Sequence, residues 1–194
     1  MLYLWLMSIR KQFSTKHLLL AALICVPFLI EAQGTSRTKK RSHNTQDTVA
    51  PAGPNYKAIG APMPPLRAVY PKKAVYTSEI LKNDANLFVM MFNPTCEHCE
   101  DMTFAIEKNI DLFQKSHILL MAAPAMGPYL EFFENGTRVK NFPKIKLGLD
   151  SSDFINRTFI YESLPQINVY SADRKLLKTF TGITTIDSLK PYIQ

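Results

Sequence analysis

Cysteine and glycine are scarce in this chain, with 3 Cys and 7 Gly among 194 residues. So few cysteines exclude a disulfide-scaffold mini-protein, and a four-thiolate zinc site would need one more thiol than the chain holds. So little glycine, beside 13 Pro and no periodic repeat, excludes collagen-like and glycine-rich disordered chains. What is present is 46% hydrophobic and 20% charged, long enough for one domain whose core needs no metal or disulfide staple.

The formal net charge is +7, and its placement matters more than its size. Residues 34–76 carry eight basic residues and one acid, Asp47, whereas residues 77–194 carry 12 basic and 14 acidic ones. The basic excess sits in a proline-rich lead, and the region expected to fold is slightly acidic. A face built for phosphates would be expected on the domain itself. Nucleic acid is therefore not an expected partner.

Residues 1–33 read as an export signal. Arg10, Lys11 and Lys16 form a positive n-region, and His17 to Ile30 is a nearly unbroken apolar run. That run falls short of the roughly 20 residues a membrane span needs. Cleavage after Ala32 fits, with Met7 as an alternative start and an uncleaved anchor through residues 17–30 as the competing reading. Residues 34–60 are polar, basic and then proline-rich, too poor in apolar surface to offset their ordering entropy, and read as a disordered linker. The folded domain is expected over 61–194, and an exported chain places it in the periplasm or cell envelope. Once the signal is removed, two cysteines remain, Cys96 and Cys99.

Along the folded region, Leu66–Tyr70 reads as a strand and Ser78–Asn83 as a short helix capped by Thr77. Asn86–Phe92 is a continuous apolar run, the mark of a strand covered on both faces. Asn93-Pro94-Thr95 breaks it. A helix is expected from Cys96 to Lys115, with Cys99, Met102, Ala105, Ile106, Ile110 and Phe113 on its apolar stripe and Glu100, Glu107 and Lys108 off it. His117–Ala123 reads as a strand, Gly127–Glu134 as a helix ended by Asn135-Gly136, and Ile145–Asp150 as a strand. Asp153–Thr158 reads as a short helix capped by Ser151 or Ser152. Gln166–Tyr170 and Lys175–Thr181 form a hairpin signal, and Thr185 caps a last helix reaching Tyr192. The expected class is α/β: a mixed central sheet flanked by helices, with a closing hairpin and a C-terminal helix.

The informative stretch is Phe92-Asn93-Pro94-Thr95-Cys96-Glu97-His98-Cys99. A Cys-x-x-Cys where a buried strand hands over to a helix is the dithiol arrangement of thioredoxin-like redox proteins. The chemistry needs that placement. A sulfur at the helix start meets unpaired backbone amides and the positive helix end, which favour thiolate. The second cysteine, one turn on, lies on the same face and points to the core. The outer sulfur attacks and the inner one resolves the mixed disulfide. A zinc knuckle would need further ligands, and His43, His98 and His117 show no second paired spacing. Haem attachment would need His where Glu100 stands. A purely structural bridge would close too small a loop to stabilise much.

From about Ile59 to Gln194 the chain resembles exported thioredoxin-fold thiol–disulfide oxidoreductases of the TlpA/ResA type. The resemblance is carried by Ile59-Gly60-Ala61-Pro62, by the dithiol stretch, and by Leu164-Pro165-Gln166-Ile167-Asn168-Val169-Tyr170. It implies Cys96 as nucleophile, Cys99 as resolving thiol and a cis Leu164–Pro165 bond facing the disulfide. Thr95, Leu164 and Pro165 would line a substrate-binding edge, where substrate chain pairs as an added strand. Partners would be protein thiols and disulfides, with an upstream electron donor or acceptor and no cofactor or metal. Two departures stand out. Thr95 replaces the usual aromatic residue before the first cysteine, and Met90 stands where many relatives carry a buried polar proton relay. Another group, Glu97 or water, would then have to serve. His98 resembles strong oxidants and Glu97 resembles reductants, so the pair would tune the redox poise in opposite senses. The class-distinct alternatives are a metallochaperone holding copper(I) on two soft thiolates, and a non-catalytic interaction module on a membrane tether.

Overall fold

The computed structural model describes residues 53–194. The expected signal, the anchor at 17–30 and the linker up to residue 52 lie outside the described residues. Seven strands form one sheet in the order β2-β1-β5-β4-β3-β6-β7. They are β1 Arg67–Tyr70, β2 Ala74–Thr77, β3 Leu87–Phe92, β4 His117–Ala122, β5 Ile145–Asp150, β6 Gln166–Tyr170 and β7 Leu176–Thr181. Strands β3, β4 and β5 run parallel, while β1, β2, β6 and β7 join antiparallel, so the sheet is mixed as its alternating elements imply.

The apolar run in β3 is buried throughout, and its alternate residues serve two cores. Phe88, Met90 and Phe92 join Cys99, Met102, Ile106, Leu130, Phe133 and Leu189 on the helical side. Leu87, Val89 and Met91 face Leu66, Leu81, Phe154, Ile155 and Phe159. The helices on the first side are α1 Glu97–Lys108, α2 Gly127–Thr137 and the short α3 Ile186–Leu189. Thr185 caps α3, accepting from the Ser188 amide, as its position before the helix predicts.

Several boundaries differ from expectation, each for a local reason. Ala74–Thr77 is an edge strand that the pattern did not announce, because only four residues follow the turn made by left-handed Lys72. Ser78–Asn83 forms turns, not a helix. Thr77 does hold the first turn through its carbonyl to Leu81, but the carbonyl of Leu81 is taken by the Arg174 guanidinium. Arg174 also donates to the carbonyls of Ala85, Ser171 and Ala172, so one side chain binds this segment to the hairpin. Helix α1 stops at Lys108, well before Lys115, where the Asn109 side chain donates back to the Ala105 carbonyl. Helix α2 runs through Asn135-Gly136 to Thr137 and ends on left-handed Arg138.

Asp150, not Ser151 or Ser152, organises the segment after β5. Its carboxylate accepts from the amides of Ser152 and Ile155, while Ser151 bonds to the Arg67 carbonyl. The chain then makes one π-helical turn, Phe154–Thr158, entered through left-handed Asp153. At the other end, residues 53–60, assigned to the linker by composition, are folded onto the domain. The Gly60 amide donates to the Leu176 carbonyl, the Leu176 amide to that of Ala61, and Tyr56 packs against the second core.

Candidate active site

Strand β3 delivers the site. Its last residue, Phe92, leads into the turn Asn93-Pro94-Thr95 and then to Cys96, the N-cap of α1 with φ −98° and ψ 114°. Pro94 supplies no amide, so past Asn93 only two backbone donors remain before the helix, the amides of Thr95 and Cys96. Both end on Asn93: Thr95 N–H on its side-chain Oδ1 at 2.9 Å, Cys96 N–H on its carbonyl at 3.0 Å. The Thr95 hydroxyl donates to the same Oδ1 at 3.0 Å.

Cys96 is half-buried, while Cys99 is 0% exposed and sits in the helical-side core with Met90. Both are free thiols. Burial pushes the Cys99 thiol well above its ordinary range, and the neighbouring Cys96 sulfur adds to this. The Asn93 backbone amide, facing the Cys99 sulfur, works the other way. The amides of Cys99 and Glu100 are satisfied by the Cys96 carbonyl. Those of Glu97 and His98, at the first two helical positions, have no intrahelical partner. Cys96 occupies the N-cap position without a side-chain hydrogen bond to them, and the positive helix end they form favours a thiolate there.

The Leu164–Pro165 bond is cis. Met91 pairs with Gln166, so Pro165 lies across from the end of β3, at the same edge of the sheet as the dithiol. Gly182, at φ +70°, donates its amide to the Pro165 carbonyl at 2.9 Å, and a Cβ there would press on the Ser163 hydroxyl at 3.0 Å. Pro165 is buried and Leu164 half-buried, touching both cores. Thr95, Glu97 and His98 are exposed around Cys96. The residues singled out from sequence thus converge on one end of β3.

Three residues escaped sequence reading. Asn93 binds the turn, and an Asn two places before a Thr across Pro is the signature of such a local side-chain turn. Glu100, half-buried directly after Cys99, is a carboxylate that pushes the Cys99 thiol further up. Glu107, expected on the polar face of α1, is only 9% exposed, with Oε1 unpartnered, and its carboxyl is pushed up to about 7 by burial. Among the described residues, no three His, Cys, Asp or Glu side chains are grouped to hold a metal ion, and no helix is long and apolar enough to cross a membrane.

A mixed sheet with α1, α2 and α3 on one face and the π-helical turn on the other, with a dithiol at the β3–α1 junction and a cis-proline opposite, is a thioredoxin-like fold. Solved structures carry the same fold. The thioredoxin domain of a thiol–disulfide oxidoreductase from Bacteroides vulgatus superposes with a TM-score of 0.57 at 14% identity, covering 71% of this chain and 99% of that one. A protein from Bacteroides thetaiotaomicron proposed to be a protein disulfide isomerase gives 0.58 at 18% identity, over 69% and 86%. A secreted Mycobacterium tuberculosis disulfide oxidoreductase homologous to DsbE gives 0.53 at 13%, over 65% and 92%. No family model and no curated relative matches the chain. The likeness to the TlpA/ResA type therefore holds at the level of the fold.

Proposed function

We propose that the protein is an exported thiol–disulfide oxidoreductase acting on protein partners. The observation that carries this reading is the half-exposed Cys96 at the helix cap with Cys99 buried one turn below it. The Cys96 thiolate attacks a partner disulfide, forming a mixed disulfide and releasing one partner thiolate, which takes up a proton. Cys99 then gives up its proton and attacks the Cys96 sulfur. The mixed bond breaks, the second partner thiol leaves protonated, and a Cys96–Cys99 disulfide remains. Two electrons and two protons pass to the partner, and the reverse sequence oxidises a dithiol.

Burial makes the Cys99 thiol favour its proton in the free dithiol, so the attack on a partner disulfide falls to Cys96. Thr95, Leu164 and Pro165 form the edge met by a substrate chain, and His98 and Glu97 set the poise in opposite senses. Glu100 is positioned to influence the proton on Cys99, a part that buried Met90 has no group to play.

The test is reduction of insulin disulfides by dithiothreitol, with copper(I) titration of the reduced protein alongside. Wild type should accelerate insulin precipitation, and Cys96→Ser should abolish the acceleration. Stoichiometric copper(I) binding without any acceleration would replace this reading by the metallochaperone. Export to the envelope, through cleavage after Ala32, rests on the apolar run His17–Ile30 and its basic flank. Intact-mass measurement of the envelope form should give a chain beginning near Gln33. A mass retaining that run would instead make residues 17–30 a tether.

A further inference from the structure

We propose that Asn93 is the positioning residue of the dithiol, and that its carboxamide sets the redox poise by fixing Cys96 at the helix cap. The proposal rests on the protein being a thiol–disulfide exchanger. Its basis is that, past Asn93 itself, every backbone donor before α1 ends on that one residue, while the Asn93 amide faces the Cys99 sulfur. Pro94 has none, Thr95 N–H goes to Asn93 Oδ1, and Cys96 N–H goes to the Asn93 carbonyl. The Thr95 hydroxyl is a third donor to the same residue. With its amide held, Cys96 keeps the extended N-cap conformation at the start of α1, the end at which the free amides of Glu97 and His98 and the positive helix end favour a thiolate.

No aromatic side chain packs this loop from position 95, since Thr95 is exposed. The turn is held instead by hydrogen bonds to one side-chain oxygen. Losing that oxygen leaves Thr95 N–H and Oγ1 free to bond with water, because both lie at the exposed surface. The fold then survives while the loop loosens, and a thiolate that no longer faces pre-aligned amides is less stabilised. A less stabilised thiolate makes the dithiol form less favoured and the couple more reducing.

The experiment compares wild type with Asn93→Ala, Asn93→Ser, Thr95→Val and the Asn93→Ala/Thr95→Val pair. Thermal midpoint, glutathione-equilibrium potential and the rate of insulin reduction are measured for each. Asn93→Ala should melt close to wild type, favour its disulfide about tenfold more against glutathione (roughly 30 mV more reducing), and exchange about tenfold more slowly. Asn93→Ser, whose hydroxyl can accept in the same turn more weakly, should recover part of both losses. In the potential, which involves no substrate chain, Thr95→Val should have a small effect in wild type and none on top of Asn93→Ala, because the Thr95 hydroxyl reaches the dithiol through Asn93 Oδ1. An Asn93→Ala protein with unchanged potential and rate, or full additivity in the pair, overturns the proposal. If Asn93→Ala fails to fold, Asn93→Ser and Thr95→Val decide, and wild-type potential in both counts against it. Absence of exchange in wild type itself would instead remove the functional reading.

Discussion

Replacing Cys99 with alanine is expected to turn the protein into a trap, with covalent mixed disulfides accumulating on Cys96, while Cys96→Ala accumulates none. The asymmetry comes from where the fold puts the two sulfurs. Cys96 is half-buried at the cap of α1, and Cys99 is 0% exposed beneath it. Only the first can meet an incoming disulfide. Once joined, the mixed bond is resolved by a sulfur already in place, and such intramolecular attack replaces a bimolecular step with millimolar thiol. Its removal should slow release roughly a thousandfold or more. The cavity left by one buried thiol costs about 1 kcal/mol, so the variant should still fold. Diagonal electrophoresis of envelope extracts, without and then with reductant, reads the result. Equal trapping by both variants, or alkylation of Cys99 before Cys96 in the reduced protein, would reverse the assignment of roles.

The parts of this fold legible in the sequence are those where one local rule acts alone. β3 is an uninterrupted apolar run because both of its faces are covered, and the Cys-x-x-Cys comes just after a Pro that no strand or helix interior tolerates. The closing hairpin and the Thr185 cap are equally local. The hidden parts depend on partners distant in sequence. β2 is a strand because β1 offers it a ladder, not because Ala-Val-Tyr-Thr insists on one. Ser78–Asn83 has a cap and short-helix composition, yet Arg174, some ninety residues on, draws off the Leu81 carbonyl and the Asn83 side chain. Asp150 outcompetes the two serines beside it because a carboxylate accepts several amides at once. At the site, the dithiol was plain and Asn93 was not. Its role lies in three short-range bonds that the spacing permits but does not demand.

Glu107→Gln is expected to stabilise the protein above neutral pH by about 1–2 kcal/mol and to change little near pH 4. The wild-type carboxyl is pushed from 4.5 up to about 7, first by burial, with Arg138 pulling it back. A folded state that holds a proton more tightly than the unfolded chain loses stability as pH rises through the gap between the two values. Below pH 4.5 both states are protonated and nothing is lost. Between 4.5 and about 7 the unfolded chain ionises first, and above 7 the full penalty of a charge on the inner face of α1 is present. The separation of the two values corresponds to about 3 kcal/mol, and solvent screening near the protein surface reduces it to about 1–2 kcal/mol. Glutamine keeps the shape and polarity without the charge, so it removes the slope and leaves the fold. His117, whose pKa is lowered by burial, acts in the opposite sense, losing stability as pH falls. It is common to both proteins and cancels in their difference. Urea unfolding of wild type and Glu107→Gln at pH 4.0, 6.0 and 8.0 should therefore give a stability difference that grows with pH. A difference that stays constant from pH 4.0 to 8.0 would mean that Glu107 is ionised in the fold at every pH tested, paired by Arg138 more closely than its unpartnered Oε1 allows.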